Sequence, residues 1–230
     1  MELIAVSSDQ FPAAAQDTFA RALATLERPV IAFPTGRTPL PLYQEMARTT
    51  FALPAGTRAF ALDEYVTACA DAPGSNVSFM RRSWPAHLPP VALPRADAVD
   101  PAGEIAAYCR AIVDCGGLDV AVIGIGGNGH IAFNEPGSAR DASCRVVALA
   151  EETRQAAAAD WPDGAPTWGM TLGVREIMAA RRVILLATGT TKAMVLRAAL
   201  TGSVSAALPA SYLQEHPSLI VVCDTAAWPD

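Results

Sequence analysis

The chain has 230 residues, 51% of them apolar and 17% charged, with a formal net charge of −6. That length buries a substantial core without help from disulfides or metals, and the composition excludes a disordered chain. Net acidity with no Lys/Arg-rich run argues against a nucleic-acid partner; a small anion still fits, because backbone N–H groups bind one inside an acidic protein.

In chain order, apolar periodicity predicts a strand over 3–6, a helix over 11–26, a strand over 30–33, a helix over 39–48 and a strand over 59–62. A helix over 75–84 follows, then a Pro-rich excursion from Pro85 to Pro101 that reads as irregular. Beyond it come a helix over 104–115, strands over 120–125 and 145–149, and helices over 151–160 and 174–179. A strand over 183–187, a helix over 192–200 and a strand over 219–223 complete the pattern. Continuous apolar strands bounded by helices imply an α/β fold with a parallel sheet covered on both faces. There is no internal repeat, and one domain over 1–230 is the simplest division.

Cys69, Cys109, Cys115, Cys144 and Cys223 form no C-x-x-C pair and are odd in number, so reduced thiols in a cytosolic protein are expected. The start, MELIAVSSDQ, lacks the basic residues and long apolar stretch of a signal peptide, and no run of about 18 apolar residues occurs. The expectation is a soluble, cytoplasmic protein with no membrane partner.

Ligands bind such sheets at the carboxyl ends of the strands. Four strand ends here carry unusual residues: Pro34-Thr35-Gly36-Arg37-Thr38-Pro39, Asp63-Glu64-Tyr65, the segment Gly124 to Pro136 (GIGGNGHIAFNEP), and Thr188-Gly189-Thr190-Thr191-Lys192. The first and last offer N–H groups, hydroxyls and a cation where a helix dipole favours an anion; singly each also reads as an ordinary turn and cap. Together they make a phosphate cradle, although neither is a Walker loop. Asp63-Glu64 reads either as a helix cap or as a carboxylate base over the strand ends. Gly124-x-Gly126-x-x-Gly129 matches the dinucleotide fingerprint, but Pro136 comes too soon for the helix that motif requires. The alternative is that His130, freed by the glycine turn, faces a ligand with Glu135 nearby, and imidazole suits proton transfer near neutral pH. No second histidine or cysteine lies nearby in sequence for a zinc site.

These residues resemble the glucosamine-6-phosphate deaminase (isomerase) family over nearly the whole chain. The likeness runs through Pro34-Thr35-Gly36-x-Thr38-Pro39, Leu62-Asp63-Glu64-Tyr65 and the specific string Gly129-His130-Ile131-Ala132-Phe133-Asn134-Glu135-Pro136, and continues in Thr171-Leu172-Gly173, Lys192-Ala193 and Pro209-Ala210-Ser211. The resemblance implies a modified doubly wound, Rossmann-like, mainly parallel sheet with helices on both faces. It also implies conversion of an amino-sugar 6-phosphate to a ketose 6-phosphate plus ammonia, with no cofactor and no metal. Asp63 would move a proton between C2 and C1, and His130 would assist ring opening. Glu135, with Asn128 beside it, would hold and polarise His130. Thr35, Gly36, Arg37, Thr38 and Lys192 would take the phosphate, and Glu64, Gly126 and Gly129 would border the sugar. The partner is thus a small sugar phosphate, and a homo-oligomer is compatible with the family.

The chain departs from the family at three places. Asn128 stands where Asp is frequent. After Thr153-Arg154 comes Gln155-Ala156-Ala157-Ala158-Ala159, where many members carry an Asn and a phosphate-binding Arg, so Arg37 is expected to supply the lost cation. Val147 replaces a basic residue of the allosterically activated members, so no such activation is expected. The lost Asn and Arg, Asn128 and the Ser203-Val204-Ser205…Pro209-Ala210-Ser211 stretch are similar to the galactosamine-6-phosphate branch, whose product is tagatose 6-phosphate. Ser75-Asn76 is similar instead to 6-phosphogluconolactonase, which however reads G-H-T-A-S-L-F-P after the glycine. A non-catalytic sugar-phosphate sensor should bring a DNA-binding helix-turn-helix; this sequence opens on a strand and keeps Asp63, His130 and Glu135.

Overall fold

In the computed structural model, which describes residues 1–229, the chain begins with β1 (Glu2–Val6), α1 (Phe11–Leu23), β2 (Val30–Phe33), α2 (Leu40–Arg48), β3 (Arg58–Ala61) and β4 (Asp63–Tyr65). It continues through α3 (Asn76–Ser83), β5 (Val91–Ala92), α4 (Pro101–Asp114), β6 (Val120–Gly124), β7 (Arg145–Ala148), α5 (Glu151–Ala157) and β8 (Trp168–Thr171). The last elements are α6 (Val174–Met178), β9 (Arg182–Ala187), α7 (Ala193–Thr201) and β10 (Leu219–Asp224). Seven strands form one sheet in the order β1-β10-β9-β6-β2-β3-β5, with every pairing parallel. No helix among the described residues is long and apolar enough to cross a membrane.

The apolar runs feed two cores because successive side chains on a strand point to opposite faces. Val30, Ala32, Ala121, Ile123, Val183 and Leu185 pack with Ile105 and Ile112 of α4 and Leu196 of α7. Ile31, Phe33, Val120, Val122, Ile184 and Leu186 pack instead with Phe11 and Phe19 of α1 and Leu42 and Met46 of α2. Each fully buried aliphatic side chain contributes about 1.5–3 kcal/mol, which makes this sheet the rigid base for the loops at its ends.

The segment expected as a strand of this sheet over 145–149 belongs elsewhere. β7 joins β8 and β4 in a second, antiparallel sheet of order β4-β8-β7. Only half-buried in β7, Arg145, Val146 and Val147 cannot sit in a strand covered on both faces. A third cluster, of Tyr65, Phe133, Leu149 and Trp161, packs beside this small sheet. Leu62 joins the two sheets: its N–H donates to Phe33 O at the end of β2, and its carbonyl accepts from Leu172 N beyond β8. The Pro-rich excursion is not wholly irregular, because Val91–Ala92 pairs with β3 at the sheet edge. α4 begins at Pro101, earlier than periodicity indicated, because Asp100 caps Gly103 N–H and proline suits the first helical position.

The cysteines also depart from expectation. Cys109 on α4 and Cys144 just before β7 are disulfide-bonded across a sequence separation of 35, while Cys69, Cys115 and Cys223 are free thiols. Spacing gave no sign of the pair; the packing of α4 on β7 brings them together. Cys144→Ser should therefore lower the unfolding free energy by about 2–4 kcal/mol in urea titrations without reductant. With dithiothreitol added, variant and parent should unfold alike.

Candidate active site

From β2 the chain winds through β3 toward one sheet edge, whereas from β6 it proceeds to β9 and β10 on the other side. That reversal opens a crevice at the carboxyl ends of β2 and β6, as expected of doubly wound sheets. A cleft of about 600 Å³ lies there, lined by the loops that follow β2, β3, β6 and β9 and by one face of α5.

Asp63, the first residue after Leu62, lines the cleft yet is only 8% exposed. Asn76 Nδ2 donates to its Oδ1 at 2.7 Å and to its carbonyl at 2.9 Å. Burial first, and then the neighbouring Glu64 charge, push the Asp63 carboxyl up to about 7, with the Asn76 hydrogen bond acting in the opposite sense. Glu64 points the other way. It is fully buried and accepts the N–H groups of Tyr65, Asn76 and Val77 at 2.7, 2.9 and 2.8 Å, holding the start of α3. Its expected place beside the sugar is therefore corrected: Glu64 faces the helix terminus, outside the cleft lining. Burial raises Glu64 too, against those three N–H donors. Because the donors favour the Glu64 anion, the proton of this pair belongs on Asp63.

His130 follows the glycine turn that ends β6. Gly126 N–H donates to His130 O at 2.9 Å, and Gly129 N–H closes the turn onto Gly126 O. The imidazole lies against Gly126, where a Cβ would sit 2.3 Å from ring Cε1, so only glycine admits the ring. An isolated bridge between Ile131 and Asn134 follows, not a helix, so the dinucleotide loop is absent. His130 Nδ1 stands 3.5 Å from Glu135 Oε2 and 3.2 Å from Thr153 Oγ1. Glu135 also accepts from Asn128 Nδ2 at 2.9 Å and from Ala150 N–H at 3.2 Å. Burial pushes Glu135 up, but His130, Thr153 and Asn128 outweigh it and bring the carboxyl down to about 2. Nδ1 of the imidazole is thus engaged by the Thr153 hydroxyl with the Glu135 carboxylate beside it, and Nε2 has no protein partner among the described residues.

Two cations also line the cleft, Arg37 and Lys192. Gly36, with φ +93°, turns the loop after β2 so that Arg37 and Thr38 border the cleft ahead of α2. Lys192 ends a short 3-10 turn before α7 and faces the same space; burial lowers its pKa. Asp224 accepts the Gly189 N–H and so pins that turn. Ala156 and Ala157 line the wall within the stretch after Thr153-Arg154 where the family pattern carries an Asn and an Arg, while Arg154 turns to Glu151 and Ala165 O.

Of the residues predicted from sequence, Thr35, Gly36, Arg37, Thr38, Asp63, Gly126, His130 and Lys192 meet in one cleft. Asn128 and Glu135 stand behind His130, and Gly129 supports the turn, with Leu208 Cδ1 2.1 Å from where its Cβ would be. The sequence reading gave no site role to Asn76 or Thr153. Ser75 is a clear helix N-cap signal just before Asn76, but only tertiary contact puts either side chain at the site.

A parallel sheet whose carboxyl ends hold a carboxylate, an imidazole–carboxylate pair and two cation-bearing loops defines an α/β acid/base protein for small phosphorylated ligands. The chain belongs to the family of glucosamine-6-phosphate isomerases and 6-phosphogluconolactonases, whose sequence profile matches residues 6–221. It is 40% identical to the glucosamine-6-phosphate deaminase of Cutibacterium acnes, over 99% of this chain and 91% of that one. Identity to the corresponding Beutenbergia cavernae deaminase is 39%, covering 92% and 85%. Among solved structures it superposes on a monomeric glucosamine-6-phosphate deaminase with a TM-score of 0.93 at 29% identity, covering 99% and 98%. The 6-phosphogluconolactonase of Trypanosoma cruzi shares the fold, with a TM-score of 0.79 at 21% identity over 98% and 95% of the two chains.

Proposed function

We propose that this protein is an amino-sugar-6-phosphate deaminase that converts glucosamine 6-phosphate and water to the ketose 6-phosphate and ammonia. The observation that carries the reading is the one cleft that Asp63, His130, Arg37 and Lys192 line together. With Nδ1 engaged by Thr153 and Glu135 beside it, His130 Nε2 takes the anomeric hydroxyl proton and returns it at the ring oxygen, opening the ring. Ionised Asp63 removes the proton from C2 and delivers it to C1, while one proton of the amine passes to the C1 oxygen, leaving an imine at C2. Water adds to that imine, ammonia leaves, and the C2 ketone remains. Arg37, Lys192 and the N–H groups of the loop after β2 hold the phosphate away from the reacting carbons and so fix the register of the sugar.

The test is ammonia release from glucosamine 6-phosphate and from galactosamine 6-phosphate, alongside hydrolysis of 6-phosphogluconolactone. The similarity to glucosamine-6-phosphate deaminases supports the first substrate over the galactosamine epimer, toward which the missing Asn and Arg lean. Turnover of galactosamine 6-phosphate more than about tenfold faster overturns the epimer and keeps the reaction; lactone hydrolysis without ammonia release overturns the reaction itself. Arg37→Gly is expected to raise KM for the phosphorylated substrate about tenfold or more while kcat falls less. An unchanged KM places the phosphate elsewhere.

A further inference from the structure

One cleft-lining side chain has no part in the chemistry above. Asn76, at the start of α3, is 5% exposed, and both atoms of its amide are engaged. Nδ2 donates to Asp63 Oδ1 at 2.7 Å and to Asp63 O at 2.9 Å, while Oδ1 takes the hydroxyl of Thr35 at 2.9 Å. Two acceptors on one side and a hydroxyl on the other fix which way the amide faces. Among the described residues no donor reaches Asp63 Oδ2.

We propose that Asn76 is the positioning residue of the base: it clamps one oxygen of Asp63 so that the other faces the cleft, and Thr35 locks the clamp. Few side chains can do this. The site needs two N–H donors and an acceptor within one short side chain; a carboxylate there would repel Asp63, and a hydroxyl carries a single proton. Thr35 also acquires a different task from the one its loop suggested. Its only hydroxyl proton goes to Asn76, so an anion in the loop is held by backbone N–H groups, Thr38 and Arg37.

The kinetic part of the test rests on the deaminase reading, so a second measurement needs no activity. Carboxyl 13C NMR on the full chain follows the titration of Asp63 in the parent, in Asn76→Ala and in Asn76→Leu, which keeps nearly the same shape without the hydrogen bonds. The midpoint should rise by about one pH unit in both variants, since a donor to the charged form is lost. The acid limb of kcat/KM should move up by the same amount, with kcat reduced about tenfold and KM within about twofold. A looser α3 alone would lower activity equally at every pH and leave the midpoint in place; that result overturns the proposal. If Asn76→Ala does not fold, Asn76→Leu decides. A parent that releases no ammonia, but whose Asp63 midpoint still rises in the variants, sinks the deaminase reading and keeps the clamp.

Discussion

Asp63→Asn is expected to cut ammonia release by about 10³-fold or more, within the range lost with a general base, while leaving the affinity for a non-reacting sugar 6-phosphate within about threefold. The amide keeps the size of the carboxyl and can still accept from Asn76, so what disappears is the ability to take a proton. Near-normal turnover would falsify the assignment of Asp63 as the base. The same variant makes a stability prediction. With the folded Asp63 carboxyl raised to about 7, the folded state holds the proton more tightly than the unfolded chain between pH 3.8 and about 7. Stability therefore falls as pH rises through that window, by at most about 4 kcal/mol, because each unit is worth about 1.4 kcal/mol. Asp63→Asn removes this loss, so the variant should be the more stable protein at pH 8, with the difference gone at pH 3. Urea unfolding at the two pH values measures it. For the parent, kcat/KM should climb with an acid limb near pH 7, as the base must be ionised to act.

Glu135→Gln is expected to lower kcat by about 10² to 10⁴-fold with KM little changed, because a neutral amide no longer places a negative charge 3.5 Å from His130 Nδ1 when Nε2 takes a proton. The sign of its pH dependence is opposite to that of Asp63. Glu135 lies depressed to about 2, so its contribution to stability is present above the ordinary carboxyl range and is lost as pH falls from about 4.5 toward 2. The variant should lack that acid-side decline. Activity within about threefold of the parent would mean that the glutamate does not set the imidazole, whatever the stability measurements show.

Much of the fold was legible because the strands of the large sheet are buried on both faces, which writes them as uninterrupted apolar runs. Val30–Phe33 was read at its observed bounds for that reason. The small sheet was illegible for the opposite reason: β4 consists of Asp63, Glu64 and Tyr65, and β8 contains Gly169, kept side-chain-free because a Cβ would meet Phe133 at 2.5 Å. Neither has an apolar run, so β7 was assigned to the only sheet in view. At the site, residues that follow a strand end directly were found, since their place is set locally. Asn76 and Thr153 were not, because each acts on a partner far along the chain, Asp63 at 13 residues and His130 at 23. Glu64 was misplaced because adjacent residues on a strand face opposite ways, and pattern alone did not say which of the two acids faced the cleft.

Leu62 sits between the two sheets, bonded to the end of β2 on one side and to the segment after β8 on the other. The two groups proposed to exchange protons with the sugar are therefore split, Asp63 on the small sheet and His130 at the rim of the large one. Main-chain bonds tie Asp63 to the large sheet, while the glycine turn after β6 places His130. Substitutions at Arg37, Ala156 or Ala157 can then re-shape what the cleft accepts without touching the Leu62 bonds that hold Asp63.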